Sequence, residues 1–444
     1  MDFTPHTDQD VAAMLEHLGL RDVDDLFAHL PMGVLVDRSP DVGEGISEPE
    51  LQRLADVWAR SNRSDLICFA GGGFYDHYLS PTVKALTARP EFVTAYTPYQ
   101  PEVSQGMLQV LYEYQSMISG ITEMDVTNAS MYDGATAAAE AVNAAVLATH
   151  RSAVWVSAGV SPRIRETIRT FAVARGIEVV EHPLIGGKTV WVADAGPAPA
   201  AVLWAQPNYL GVIEDYDGAV ATAHESGALA IVSYDPMTLG VLRSPGSAGV
   251  DIAVGEGQPL GSPLSFGGPG LGLFSITSEQ MRRMPGRIIG KTVDREGATA
   301  YVMTLRAREQ DIRRSKASSN ICSNQALNAV AAAVQLGWLG PDGLAEAGEQ
   351  SAQKAHYLAA RLEKIPGVSM ANDSSFVREF AVLVPIEPED VIEAMAARGY
   401  LAGIPLSKDY PDLPGGLLVA VTEQRSREEL DGYVDTMKEV VANA

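Results

Sequence analysis

The chain has 444 residues, of which 46% are hydrophobic and 20% are charged, and its formal net charge at pH 7 is −23. This length predicts two or three domains, and the composition is typical of globular protein. The acidity argues against a nucleic-acid partner, because binding phosphate groups requires a cationic face.

The sequence also argues against membrane insertion and secretion. No stretch approaches the roughly 20 consecutive apolar residues of a membrane helix, and the first residues, MDFTPHTDQD, are acidic where a secretory signal is basic and then apolar. Cys68 and Cys322 lack any CxxC or Cys/His metal spacing, so we expect both to be buried small hydrophobes. We therefore expect a cytoplasmic protein without a metal site.

Residues 1–65 are predicted to form an N-terminal helical arm. Apolar residues recur at helical spacing on both sides of a Pro- and Gly-containing break at residues 31–45. They are Val11, Met14, Leu15 and Leu18 before the break, and Leu51, Leu54, Val57 and Trp58 after it. Such arms usually pack on another surface, which in an oligomer is often the partner chain.

Residues 66–330 are predicted to form a large α/β domain. Short apolar runs predict strands at 66–69, 153–157, 178–181, 190–192, 201–204, 229–233 and 250–254. Helical patterns lie between them at 132–150, 162–175 and 213–225. Strands that alternate with helices imply a mainly parallel sheet covered on both faces, which is a three-layer architecture.

Residues 331–444 are predicted to form connecting helices and a small α+β domain. A helical stretch over 325–362 is interrupted by GPDG at 340–343, which is a turn signal. Strands are predicted at 380–384 and 417–421, and helices at 388–398 and 426–441. The last helix opens with a capping box formed by Ser426 and Glu429.

A turn of small residues, 128–136 (NASMYDGAT), leads into the predicted Ala-rich helix. Such a turn directs free N–H groups and the positive end of the helix dipole at one point, which suits a phosphate. The carboxylate of Asp133 is placed to cap the same N–H groups and to repel a phosphate. The segment is therefore either a helix cap or a phosphate site.

Asp235 lies at the carboxyl end of the strand predicted at 229–233. Ligands of open α/β sheets gather at these ends, where an Asp can hydrogen-bond a protonated ring nitrogen. An Asp before a Pro is equally typical of a turn.

Segment 250–270, VDIAVGEGQPLGSPLSFGGPG, leads into a Gly-rich loop that approaches a ligand, another chain or itself in a tight turn. No lysine occurs between Lys188 and Lys291.

Two further segments have the composition of recognition surfaces. Segment 94–106, TAYTPYQPEVSQG, either covers a ligand or a partner, or is a Pro-rich loop whose tyrosines pack locally. Segment 306–324, RAREQDIRRSKASSNICSN, either binds an anion, pairs with acidic residues across an interface, or forms a solvated helix face. Neither a catalytic triad nor a metal-binding motif emerges.

Six strings carry a resemblance to one family: GGGFYDHYLSP, EFVTAYTPYQPEVSQG, NASMYDGATAAAEA, VGEGQPLGSPLSFGGPG, REQDIRRSKASSNICSNQAL and LLVAVTEQRSREELD. They are distributed from residue 71 to residue 431, so the resemblance spans most of the chain. The chain resembles the first, lysine-lacking subunits of split-type glycine dehydrogenase (decarboxylating), the P-protein family of the glycine cleavage system.

This resemblance implies a pyridoxal-phosphate enzyme fold of the aspartate aminotransferase type, with a mainly parallel three-layer large domain and a small α+β C-terminal domain. It also implies a function shared with a homologous chain, subunit 2. Together the two chains would decarboxylate glycine and pass its aminomethyl group to the lipoyl group of the H-protein.

The resemblance further implies which chain holds the cofactor. In complete relatives the Schiff-base lysine follows the Asp that contacts the pyridine ring by a few tens of residues, which maps to the loop near Gln258. Because that loop has no lysine, we expect no cofactor in this chain, no catalytic lysine, and pyridoxal phosphate on subunit 2. Remnants of a cofactor site are expected at Ser130, Asp133, Gly134 and Asp235.

Active sites of this enzyme class lie at subunit interfaces, so we expect side chains of this chain to complete the partner's site. The candidates are Tyr96, Thr97, Tyr99, Gln100, Ser104, Arg313, Lys316 and Asn320. Two alternatives remain open. One is a structural or regulatory scaffold for the catalytic partner. The other is a stand-alone pyridoxal-phosphate lyase that uses Lys291 or another lysine, although RIIGKTVDREG is typical of a hairpin.

Overall fold

The structure, a computed structural model, describes residues 5–35, 41–94, 96–193, 195–322 and 324–443. The chain separates into two compact units, Met1–Ser64 and Asp65–Ala444. Across the described residues, no helix is both long enough and apolar enough to cross a membrane.

The first unit contains helices α1 (Asp8–Leu18) and α2 (Glu48–Ser61), which coincide with the apolar residues at helical spacing. Each begins with a capping box, in which the N-cap side chain and an acidic residue three positions later bond each other's backbone N–H. The N-caps are Thr7 and Ser47. Residues 36–40 of the predicted break lie outside the described part of the chain.

The second unit contains the remaining elements. Its strands are β1 (Ile67–Cys68), β2 (Val126–Thr127), β3 (Ala153–Ser157), β4 (Glu178–His182), β5 (Leu184–Ile185), β6 (Lys188–Thr189), β7 (Ala201–Gln206), β8 (Leu229–Tyr234), β9 (Ile252–Glu256), β10 (Gly272–Ile276), β11 (Ile288–Val293), β12 (Thr299–Thr304), β13 (Ser369–Met370), β14 (Glu379–Leu383), β15 (Tyr400–Leu401), β16 (Ile404–Pro405) and β17 (Gly416–Ala420). Its helices are α3 (Pro81–Thr87), α4 (Pro90–Val93), α5 (Gln105–Thr122), α6 (Gly134–Thr149), α7 (Pro162–Arg175), α8 (Tyr216–Glu225), α9 (Gln310–Arg313), α10 (Ala326–Leu362), α11 (Pro388–Ala396) and α12 (Arg427–Ala442).

A seven-stranded sheet in the order β2-β10-β9-β8-β7-β3-β4 forms the centre of this unit. Strands β4, β3, β7, β8 and β9 pair in parallel, and β10 and β2 add an antiparallel edge. Every residue of β7 is buried, as expected for a parallel strand covered on both faces. Residues of α5, α8 and the first half of α10 cover one face, and α6 and α7 cover the other. The predicted three-layer α/β architecture is confirmed.

A four-stranded antiparallel sheet, β13-β14-β17-β16, packs with α12 and the second half of α10 around a separate core. α10 is broken at Gly340, whose φ of 61° is unfavourable for other residues, and Pro341 follows and cannot donate a backbone hydrogen bond. The predicted interruption at GPDG is therefore present. The boundary expected at residue 330, between the large domain and the C-terminal part, stays a prediction. α10 runs across this position.

Some predictions were wrong or incomplete. Residues 190–192 form no strand, because the chain there makes the short β5–β6 hairpin just before them. Cys322 is exposed and Cys68 is only half-buried, so the cysteines are not the buried hydrophobes that were expected. The sequence patterns also missed α5, which packs against α10 under the central sheet.

Candidate functional site

Polar side chains collect at the carboxyl ends of the central parallel strands. Asp235 follows β8, Glu256 ends β9, and Gln258 begins the 3-10 turn after β9. The N-terminus of α6 reaches the same place, since the Gly134 N–H donates to Glu256 Oε2 at 2.9 Å. Ligands of open α/β sheets bind at this edge. Asp235 and Glu256 line a small cavity of about 90 Å³, together with Tyr75 and Glu379.

Two carboxylates occupy the N-terminus of α6. Asp133 is the N-cap, and its Oδ1 accepts from the Thr136 N–H at 2.7 Å and from the Thr136 hydroxyl at 2.9 Å. Glu256 accepts the Gly134 N–H and, through its other oxygen, the N–H groups of Gln258 and Leu271, both at 2.9 Å. The Gly134 and Thr136 N–H groups, which would face an anion at this turn, are therefore already bonded to side chains of the chain itself.

Burial raises the pKa of Glu256 to about 7, although the three N–H donors act in the opposite direction.

Ser130 does not contact the carboxylates at the N-terminus of α6. Its backbone has a φ of 128°, and its hydroxyl accepts from Asn324 Nδ2 at 2.9 Å and from the Gln325 N–H at 3.1 Å, next to the start of α10. Of the four residues expected from a cofactor site, only Asp133 and Gly134 lie together at the helix N-terminus.

Asp235 is held by the C-terminal sheet. One carboxylate oxygen accepts the Met237 N–H at 3.1 Å, and the other forms an ion pair with Arg378. Arg378 directly precedes β14, and its side chain is only 3% exposed. The guanidinium lies 3.5 Å from the ring centroid of Tyr75 and also contacts His77. Both carboxylate oxygens of Asp235 therefore already have partners within this chain.

The adjacent Glu379 extends this buried network. Its carboxylate accepts the Gly72 N–H at 2.7 Å and the Tyr75 hydroxyl at 2.8 Å. Burial raises the pKa of Glu379 to about 7, with the Gly72 and Tyr75 hydrogen bonds acting against it. Arg378 and Glu379 together join the segment 72–77 and the end of β8 to the C-terminal sheet.

Gln258 lies where the resemblance placed the cofactor-binding lysine. Its amide oxygen accepts the Tyr75 N–H at 3.1 Å, and its amide nitrogen donates to the Ser262 carbonyl at 2.7 Å. None of the eight lysines, all within the described part of the chain, lines the cavity. Lys291 lies on β11 opposite Tyr301 in an antiparallel β11–β12 hairpin, as its sequence context indicated.

The segments 94–106 and 306–324 meet at Tyr99. The guanidinium groups of Arg287 and Arg306 lie 5.3 and 5.8 Å from its ring centroid, and Arg287 Nη2 donates to its hydroxyl at 3.2 Å. Tyr96 is 81% exposed, whereas Thr97 and Ser104 are partly buried and Gln100 is exposed. Residues 95 and 323 of these segments lie outside the described part.

The basic segment is mostly not a solvated helix, because only Gln310–Arg313 is α-helical within its described residues. Arg306 pairs with Asp311, and Arg308 donates to backbone carbonyls. Arg313, Lys316 and Asn320 are exposed. Arg313 donates to the Ala307 carbonyl, and the Asn320 carbonyl accepts from Gln310.

Sequence reasoning missed five residues that organise these sites: Glu256, Arg378, Glu379, Arg287 and Glu309. A local signal existed only for Glu256, which is an acidic residue at the end of an apolar strand beside a Gly-rich loop. The partners of the others are distant in sequence.

Comparison with known proteins gives a consistent result. A family model described as glycine cleavage system P-protein matches residues 1–437. A protein from Chlorobium chlorochromatii named "Probable glycine dehydrogenase (decarboxylating) subunit 1" is 45% identical, with all of both chains covered. A crystal structure of a glycine decarboxylase (P-protein) of the glycine cleavage system, in inhibitor-bound form, superposes with a TM-score of 0.92 and 42% identity, covering 99% of this chain and 100% of that chain.

A more distant structure supports the fold alone. A glutamate decarboxylase from Lactobacillus brevis has a TM-score of 0.66 and 13% identity, covering 92% of this chain and 95% of that one. The expected fold class, that of pyridoxal-phosphate enzymes of the aspartate aminotransferase type, is confirmed.

Proposed function

This chain belongs to the glycine cleavage system P-protein family, and we propose that it is the subunit of a two-chain glycine decarboxylase that does not hold the cofactor. It acts as part of an enzyme of glycine cleavage, and the name "subunit 1" among its relatives implies a second subunit. That second, homologous chain carries the pyridoxal phosphate and the lysine that binds it.

The main support is that the residues present do not fit pyridoxal phosphate. A phosphate group at the N-terminus of α6 would meet the carboxylates of Asp133 and Glu256, which already accept the N–H groups of Thr136 and Gly134. A pyridine ring would have to displace Arg378 from Asp235. Gln258 has no amine, and its amide is bonded on both sides. The cavity is also well below the roughly 300 Å³ of a typical ligand pocket.

In the proposed reaction glycine loses CO₂, and its aminomethyl group passes to the lipoyl group of the H-protein. The contribution of this chain is a surface at the partner's active site, formed by the candidate residues of the loop 96–104 and the segment 313–320. The loop is suited to this role because it is fixed at Tyr99 and still exposes Tyr96. Fixed loops lose little conformational entropy when a partner binds.

Co-expression with the homologous partner, followed by size-exclusion chromatography and a glycine–bicarbonate exchange assay, tests this proposal. The two chains should co-elute, and exchange should require both of them. Exchange by this chain alone, abolished by Lys291→Ala, would instead establish a stand-alone lyase. Unchanged turnover when Tyr96, Tyr99 and Arg313 are each replaced by Ala in an intact complex would favour a scaffold.

A further inference from the structure

The segment 284–287 (MPGR) is fixed by hydrogen bonds to all four of its carbonyl groups. Each carbonyl accepts from a residue that is distant in sequence: Met284 and Gly286 from Arg308, Pro285 from Asn128, and Arg287 from Ala129. The turn before α6 and the basic segment therefore hold this short segment from two sides.

The side chain of Arg287 is directed inward from this segment and is only 5% exposed. Its Nε lies 3.9 Å from Glu309 Oε2, and the Glu309 side chain is 9% exposed. A buried guanidinium is costly unless it is paired. Glu309 supplies the opposite charge, so Arg287 is held at its far end as well as at its backbone.

Tyr99 connects Arg287 to the surface. Arg287 donates to the Tyr99 hydroxyl and lies over its ring, while about half of the Tyr99 side chain is exposed. The loop has a second anchor at Gln105, whose amide accepts the Tyr301 N–H at 2.8 Å and donates to the Tyr301 carbonyl at 3.0 Å. Residues 100–104 lie between these two anchors, and residues 96–98 directly precede the first one.

We propose that Arg287 is a positioning residue, which sets the orientation of Tyr99 and of the loop 96–104 that completes the partner's active site. This inference rests on the proposed function, in which that loop contributes to the partner's site. Arg287 does not touch the substrate and acts through Tyr99. A lysine is a poor substitute, because only the planar guanidinium can reach Tyr99 and Glu309 through separate nitrogens at once.

Four variants of this chain, each assembled with the partner, test the proposal: Arg287→Met, Arg287→Lys, Tyr99→Ala, and the double variant Arg287→Met/Tyr99→Ala. We expect Arg287→Met to lower kcat for exchange by about 10- to 100-fold, as displacement of a positioning group by about 1 Å does. Its co-elution with the partner should not change, and Arg287→Lys should recover part of the loss. The double variant should match Tyr99→Ala within about twofold, because the two residues act in series.

The control is Arg151→Met, in which another partly buried arginine is lost. Arg151 donates to the Pro199 and Ser226 carbonyls at 2.8 Å. These three residues precede β3, β7 and β8, so they lie at the amino ends of the parallel strands, whereas Asp235 and Glu256 lie at the carboxyl ends. Its complex should keep kcat and KM within about twofold of the native values, because residues without shared partners act independently.

Three results would overturn the inference or its premise. Native kcat and KM for the Arg287→Met complex would show that Arg287 does not position the loop. The same conclusion would follow if the loss of kcat in the double variant equalled the product of the losses in the two single variants. If Arg287→Met fails to assemble, native turnover of both Arg287→Lys and Tyr99→Phe would contradict the inference. Native turnover of Tyr99→Ala in an active complex would instead refute the loop's role in the proposed function.

Discussion

Replacing Arg378 by methionine should strongly destabilise the isolated chain. Methionine keeps the apolar stem but removes the ion-pair partner of Asp235 and the cation over the Tyr75 ring. Arg378 is 3% exposed and the Asp235 side chain 15%, so the variant leaves a carboxylate largely buried without its partner. Breaking a buried pair in this way costs about 3–5 kcal/mol of unfolding free energy.

The double variant Asp235→Asn/Arg378→Met should recover most of this loss, because the asparagine carries no charge and its amide oxygen can still accept the Met237 N–H. Replacing both members of a buried pair is often nearly neutral, so we expect the double variant within about 2 kcal/mol of the native chain. The coupling free energy between the two positions should then be at least about 2 kcal/mol in a double-mutant cycle.

Urea unfolding followed by tryptophan fluorescence and circular dichroism provides these free energies. The control is Arg427→Met, since Arg427 is 81% exposed and lies 3.8 Å from its partner Asp431. Such a surface change should alter stability by no more than about 0.5 kcal/mol. A loss of less than about 1 kcal/mol for Arg378→Met, or a double variant no more stable than the single one, would refute the role assigned to this pair.

Three further predictions concern the same region. Burial raises the pKa of Glu379 from 4.5 to about 7, so its stabilising contribution is full below about pH 4.5 and is lost as the pH rises through 7. The stability of the native chain relative to Glu379→Gln should therefore fall by about 2–3 kcal/mol between pH 5 and pH 8 in urea unfolding, and a pH-independent difference would contradict this. Gln258→Lys should give no aldimine absorption and no borohydride-reducible adduct on titration with pyridoxal phosphate, because Glu256 and Arg378 still fill the site. An adduct at position 258 would count against that reasoning. Asp133→Ala should lower the unfolding free energy by about 1 kcal/mol through loss of the α6 N-cap, and an unchanged urea midpoint would show that the cap contributes nothing.

The sequence predicted the elements whose signals are local. β3, β7, β8 and β9 lie within or beside the predicted apolar runs, and the Ser426 and Glu429 side chains form the expected capping box of α12. α5 was missed because its first turn directly follows the Pro-rich loop, and the segment 94–106 was interpreted as one recognition surface that included the first two residues of the helix. The strand predicted at 190–192 failed because three apolar residues beside a tight hairpin do not specify a pairing partner.

The candidate site was predicted only in part, and the reason is geometric. The sequence indicated Asp133, Asp235 and the absence of lysine near Gln258, which are single positions with a recognisable local context. It gave no sign that Glu256 reaches Gly134 across 122 positions, or that Arg378 reaches Asp235 from another sheet. Such contacts exist only after the strands are aligned and the C-terminal sheet is packed against them.

The most direct test of the central claim is borohydride reduction of the active two-chain complex, followed by peptide mass spectrometry of both chains. Reduction converts the imine between a lysine and pyridoxal phosphate into a stable pyridoxyl-lysine. We predict this modification in the partner alone, with all eight lysines of the present chain unmodified. A pyridoxyl group on any of those lysines, at a level matching the activity of the complex, would contradict the proposed division of labour.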